Sequence, residues 1–109
     1  MYTTIWEFRP AADRREEFEA AYGRSGSWAD LFSRAVGYVG TELIQDTEDA
    51  TRYLTIDRWR SRQAYDAFRN AFAAEYEELD AACEELTSHE ALVGQFTSPW
   101  NGEPTGSTR

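Results

Sequence analysis

The stretch "RYLTIDRW", residues 52–59, decides the fold. Tyr53, Thr55, Ile56 and Trp59 are β-branched or aromatic, and no Gly or Pro interrupts them, so the stretch predicts a β-strand. Side chains of a strand alternate between its two faces. Leu54 and Ile56 therefore share one face, and Tyr53, Thr55, Asp57 and Trp59 share the other. Neither set belongs in water. Both faces of this strand need a cover, and an aspartate beside a tryptophan needs an explanation.

The flanking sequence supplies the rest of the pattern. "YTTIWEF", residues 2–8, alternates as a first strand, with Tyr2, Thr4, Trp6 and Phe8 on one face. A helix follows, with Asp13 expected as its N-cap and Glu16 completing a capping box; its apolar stripe is Phe18, Ala21 and Tyr22. "GRSG" at 23–26 breaks it, and Ser27 is expected to cap a short second helix carrying Trp28, Leu31, Phe32 and Ala35. Gly37 closes that helix. "YVGTELIQD", 38–46, is a second strand, joined by the polar turn 47–51 to the stretch above. Ser61 opens a long helix with Ala64, Tyr65, Phe68, Phe72, Tyr76, Leu79, Cys83 and Leu86 along one stripe. At 1.5 Å per residue it would run about 39 Å, longer than the strands it covers, so a bend is expected near 70–74. "SHEALVGQF", 88–96, is the last strand.

The order strand, two-piece helix, strand, strand, helix, strand predicts an α+β ferredoxin-like βααββαβ sheet with helices on one face. A single domain spans 1–97, and 98–109 has the composition of a flexible tail. Helices cover one face of the sheet only. The economical cover for the other face is a second copy, packed sheet to sheet in a symmetric homodimer.

Composition narrows the partners. The 109 residues carry a formal net charge of −9, which argues against nucleic acid and against an anionic membrane surface. All eleven basic residues are Arg, in keeping with a GC-rich bacterial genome. The chain has one cysteine, Cys83, and hence no internal disulfide. No signal peptide or apolar membrane span is visible, so a cytoplasmic protein is expected.

On the residues "YTTIWEFRP", "GYVGTEL", "RYLTIDRW" with "AYDAF", and "EYEELD", the chain resembles the antibiotic biosynthesis monooxygenase family of dimeric α/β barrels. The resemblance spans residues 1–97 and implies a homodimer with a cavity between sheet and helices. It implies a monooxygenase that acts on a small flat phenolic, anthrone-like or quinol molecule with no metal, flavin or other cofactor. Quinone-forming members carry Asn, then Trp four residues on, then Tyr six further. Thr55, Trp59 and Tyr65 stand at that spacing. Thr55 donates one hydrogen bond where the amide would both donate and accept. The haem-degrading branch has a His ten residues after the Trp; here that position is Arg69, which argues against haem.

Each candidate has a plain reading and a functional one. Asp57 is either the partner of Arg58, Arg60 or Arg62, or a buried carboxylate raised by desolvation and able to take a C–H or phenolic proton. Trp59 is a core aromatic or a surface for stacking a flat ligand. Tyr65 is a buried phenol or a donor to a substrate carbonyl. These three are the catalytic candidates. Thr55, Phe18, Trp28, Phe32, Phe68 and Phe72 are the candidates for ligand contact, several of which must simply be core. His89, the only histidine, has no partner at catalytic or metal-binding spacing, and no metal site is expected. Two further readings stay open: a dimer that binds a small molecule or serves a stress response without catalysis, and a cofactor-free isomerase or cyclase.

Overall fold

The computed structural model describes residues 1–99; the tail beyond, with Trp100, lies outside the described residues. Four strands form one antiparallel sheet: β1 (Tyr2–Pro10), β2 (Tyr38–Gln45), β3 (Tyr53–Trp59) and β4 (Thr87–Thr97). Their order is β2-β3-β1-β4, the ferredoxin-like arrangement. The helices α1 (Arg15–Tyr22), α2 (Ser27–Phe32), α3 (Arg62–Ala71) and α4 (Ala73–Cys83) complete it, with a 3₁₀ turn at Glu84–Leu86 leading into β4. None of the described helices is long and apolar enough to cross a membrane.

The alternation of residues 53–59 holds to the last residue. Tyr53, Thr55, Asp57 and Trp59 are buried, while the residues between them are half-buried. The buried set faces the helices and joins a core that includes Phe8, Phe18, Trp28, Phe32 and Phe68. The opposite face carries Ile5, Leu54 and Ile56 across its centre, with Ile44 and Phe96 44% and 48% exposed toward its edges.

The expected long helix breaks at Phe72, whose φ of −113° and ψ of 28° end α3 and begin α4. Phe72 stacks on Phe68, with ring centroids 5.5 Å apart, so the bend folds one aromatic stripe around the core. Ser61 caps α3, its hydroxyl accepting from the Ala64 N–H at 3.1 Å.

The other two caps differ from expectation. Helix α1 starts at Arg15, with no side-chain cap on it. Arg14 N–H bonds the Ala11 carbonyl at 3.0 Å, and this turn uses up the segment in which Asp13 would have had to cap. Helix α2 is preceded by Gly26, not Ser27. A Cβ on Gly26 would lie 2.3 Å from the Ala20 carbonyl oxygen, so the tight corner between α1 and α2 takes the one residue that fits and makes Ser27 the first helical residue. Helix α2 also stops at Phe32, before Ala35. Gly37, at φ 97°, turns the chain into β2 five residues after the helix has ended.

Candidate functional site

Strand register builds the site. Reading across β1, β3 and β2, the residues facing the helices form rows: Tyr2–Trp59–Tyr38, then Thr4–Asp57–Thr41, then Trp6–Thr55–Leu43. Large rings dominate the first row. Around Asp57 the neighbours are threonines, Thr4, Thr41 and Thr55. Short side chains beneath a layer of aromatic helices leave space. A cavity opens there, floored by the threonines and Asp57 and walled by Trp6, Trp59, Trp28, Phe32, Tyr65 and Tyr76. Counted as volume open to the centre of a water molecule it is about 70 Å³, enough for several waters where one needs on the order of 10–15 Å³. Two exposed carboxylates, Asp80 of α4 and Glu90 of β4, also line it. A ligand larger than one ring must reach out through the opening or shift a side chain.

Asp57 is 8% exposed. Its Oδ1 accepts a hydrogen bond from Thr41 Oγ1 at 2.6 Å, and Thr41 Oγ1 in turn accepts from Tyr38 Oη at 2.7 Å. Burial pushes the Asp57 carboxyl up from 3.8 to about 6, the Thr41 hydroxyl opposing the shift. Such a group is an ion at neutral pH yet basic enough to take a weakly acidic proton. The arginine partner expected from sequence is replaced by Thr41. Arg58 points to the opposite face and pairs with Glu42 at 2.5 Å, and Arg62 pairs with Asp66 at 3.8 Å. Residues adjacent in a strand face opposite ways, so proximity in sequence misled here.

Trp59 is fully buried, its ring edge-on to Phe32, Tyr38 and Tyr65 at 5.6, 5.4 and 5.5 Å between centroids. Its Nε1–H has no acceptor among the described residues, and neither has that of Trp28. A buried donor without a partner is costly. Both nitrogens are themselves buried, so an oxygen of a ligand reaches them only where a ring turns.

Tyr65 is half-buried at the cavity wall. Arg69 Nη1 donates to its hydroxyl oxygen at 2.9 Å, and the Arg69 guanidinium lies 3.9 Å from the centroid of the Tyr76 ring. Arg69 thus braces two lining aromatics across the α3–α4 break and leaves the Tyr65 O–H free to donate.

Of the expected contact residues, Thr55, Trp28 and Phe32 line the cavity. Phe18 and Phe68 are packed in the core, and Phe72 lies behind Phe68 at the helix break. Sequence reasoning passed over Trp6, Tyr22, Tyr76 and Thr41 as lining residues. Trp6 shares the strand face of Tyr2 and Thr4, and Tyr76 lies on the Phe68 stripe, so both carried a signal; Thr41 carried none. Cys83 is buried and His89 exposed. No group of three potential ligands among the described residues could hold a metal ion.

The antibiotic biosynthesis monooxygenase family model matches residues 1–77. SnoaB, a cofactor-independent oxygenase from Streptomyces nogalater solved as a mutant form, has the same fold: TM-score 0.72, 24% identity, 91% of this chain and 93% of that one covered. A Bordetella bronchiseptica protein proposed to be an antibiotic biosynthesis monooxygenase gives 0.70 at 22% identity, covering 91% and 97%. A Nitrosomonas europaea protein with the same proposed role gives 0.69 at 19%, covering 96% and 93%. At these identities the likeness speaks for the fold. No curated protein matches the sequence.

Proposed function

The chain belongs to the antibiotic biosynthesis monooxygenase family, and from that premise we propose that it oxygenates a small, flat phenolic, anthrone-like or quinol molecule bound in this cavity, without metal or flavin. One observation carries the reading: a buried carboxylate, Asp57, at the floor of an aromatic-walled cavity. Asp57 takes a proton from an acidic C–H or phenolic O–H. The resulting anion gives one electron to O₂, the radical pair joins as a peroxide anion, and the proton held by Asp57 returns to it to give the hydroperoxide. Loss of water from the hydroperoxide leaves a carbonyl, so that a CH₂ group and O₂ become C=O and H₂O. Trp59 and Tyr65 position the ring, and the Tyr65 O–H faces one of its oxygens as a donor. SnoaB is a cofactor-independent oxygenase, and its likeness supports this chemistry.

The functional unit in this proposal is a homodimer whose two sheets cover each other's Ile5, Leu54 and Ile56. An unbacked sheet face with half-exposed Ile44 and Phe96 supports it. The localisation that goes with the proposal is cytoplasmic.

Anthrone as substrate tests the reading: O₂ uptake should match product formation one to one. Asp57→Asn should abolish turnover and keep ligand affinity. Turnover that proceeds unchanged under nitrogen would point to an isomerase instead. A second reading, ligand binding without catalysis, is favoured by Thr55, which stands where quinone-forming members carry an amide; ligand retention with no O₂ uptake would select it.

A further inference from the structure

Residues three apart in a regular strand face opposite ways. Tyr38 and Thr41 do not, because β2 is irregular between Tyr38 and Gly40: Tyr38 pairs with Trp59, Gly40 with Arg58 and Thr41 with Asp57. The extra residue, Val39, is turned out to solvent at 48% exposure, and Tyr38 and Thr41 are both brought to the helix side. Bulges re-aim side chains in this way. The product is a continuous line of hydroxyls, Tyr38 Oη to Thr41 Oγ1 at 2.7 Å and Thr41 Oγ1 to Asp57 Oδ1 at 2.6 Å. Exposure rises along it, from buried Asp57 and Thr41 to half-buried Tyr38.

We propose that Tyr38 and Thr41 are a proton conduit between Asp57 and solvent, separate from the cavity mouth. The proposal rests on reading Asp57 as the base. A base that is protonated when a ligand binds cannot act until it sheds that proton, and the bound ligand blocks the cavity side. The proton leaves Asp57 Oδ1 for Thr41 Oγ1, the Thr41 proton passes to Tyr38 Oη, and the Tyr38 proton passes to water. One O–H bond breaks and one forms at each step, no electrons move, and both hydroxyls end turned outward. They turn back once Asp57 is an ion, since a carboxylate only accepts. Burial and the Asp57 charge raise the Tyr38 phenol, while its bond to Thr41 lowers it, so Tyr38 hands protons on and does not stand as a phenolate. The other titratable groups at the cavity are Tyr22 from α1, Tyr65 from α3, Tyr76 and Asp80 from α4, and Glu90 from β4. None of them hydrogen-bonds Asp57 among the described residues.

The test uses the full chain carrying ¹³C-carboxyl aspartate, with the Asp57 signal assigned by its loss in Asp57→Asn. With the flat phenol 2-naphthol saturating the cavity, the exchange rate between its protonated and ionised forms is measured at its titration midpoint by relaxation dispersion. Tyr38→Phe and Thr41→Val should slow it on the order of tenfold or more, and Thr41→Ser should restore it. Tyr38→Phe removes one oxygen from a half-buried ring, so the test stands even where Thr41→Val fails to fold. An unchanged rate in Tyr38→Phe overturns the conduit and leaves the base reading intact. A midpoint in the ordinary carboxylate range overturns both.

Discussion

Thr41 and Asp57 face each other across adjacent strands, 2.6 Å from hydroxyl to carboxylate, while Arg58, next to Asp57 in the chain, pairs with Glu42 on the opposite face. Among the described residues, the one buried carboxylate facing this cavity therefore carries no countercharge. Its burial has to be borne by a single neutral hydroxyl, and several consequences can be measured.

The first is a stability that depends on pH. The folded Asp57 sits at about 6 against an ordinary 3.8, so the folded chain holds this proton more tightly than the unfolded chain. The contribution is full below the unfolded value and disappears as pH rises through about 6. At 1.36 kcal/mol per unit, that is about 3 kcal/mol lost between roughly pH 4 and pH 7.5. Asp57→Asn should remove this component, so the urea midpoints of variant and parent should diverge in the variant's favour as pH rises. Parallel pH curves would show that Asp57 is not desolvated.

Trp59→Phe separates packing from recognition. The ring is fully buried but its Nε1–H has no acceptor to lose among the described residues. The expected cost is therefore one of volume alone, about 1–2 kcal/mol in denaturant unfolding. If Nε1–H serves a ligand oxygen, affinity for a flat phenol such as 2-naphthol should fall about tenfold, the worth of one hydrogen bond. Equal affinity in parent and variant would reduce Trp59 to a wall.

Gly37→Ala should be far worse than Gly40→Ala. Gly37 has φ 97°, and a Cβ there would meet the Ala64 Cβ at 2.5 Å; a Cβ on Gly40 meets nothing within 4 Å. Strain of this kind costs about 1–3 kcal/mol, before the clash with the first turn of α3, whereas Gly40→Ala should stay within about 0.5 kcal/mol. Thermal melts of the pair decide it, and equal melting temperatures would contradict the geometry.

Ile56→Lys tests the uncovered sheet face. Ile56 pairs with Ile5 on one side and Glu42 on the other and is only half-buried in the single chain, so a lysine there can extend its ammonium into water and should leave the monomer folded. In a sheet-to-sheet dimer it would bury two ammonium groups, and native mass spectrometry should then report monomer. A variant that stays dimeric places the interface elsewhere. A parent protein that is already monomeric ends the dimer proposal.

Local rules carried the sequence a long way. The two-residue period of 53–59 assigned each side chain to its face, since alternation is a property of the strand itself. The Ser61 cap and the break near Phe72 were legible for the same reason, and so was the ferredoxin-like order of elements. Long-range placement was not. Thr41 lies sixteen positions from Asp57, and only the β2–β3 register with its bulge at Val39 makes them neighbours. A helix stripe does not say which of its rings ends over a row of threonines and which over a row of aromatics, so Tyr76 lines the cavity while Phe18 and Phe68 fill the core. Spacing along one element fixed which way each residue points; what it points at depended on where a second element came to rest, and that is set by packing and register between segments distant in the chain.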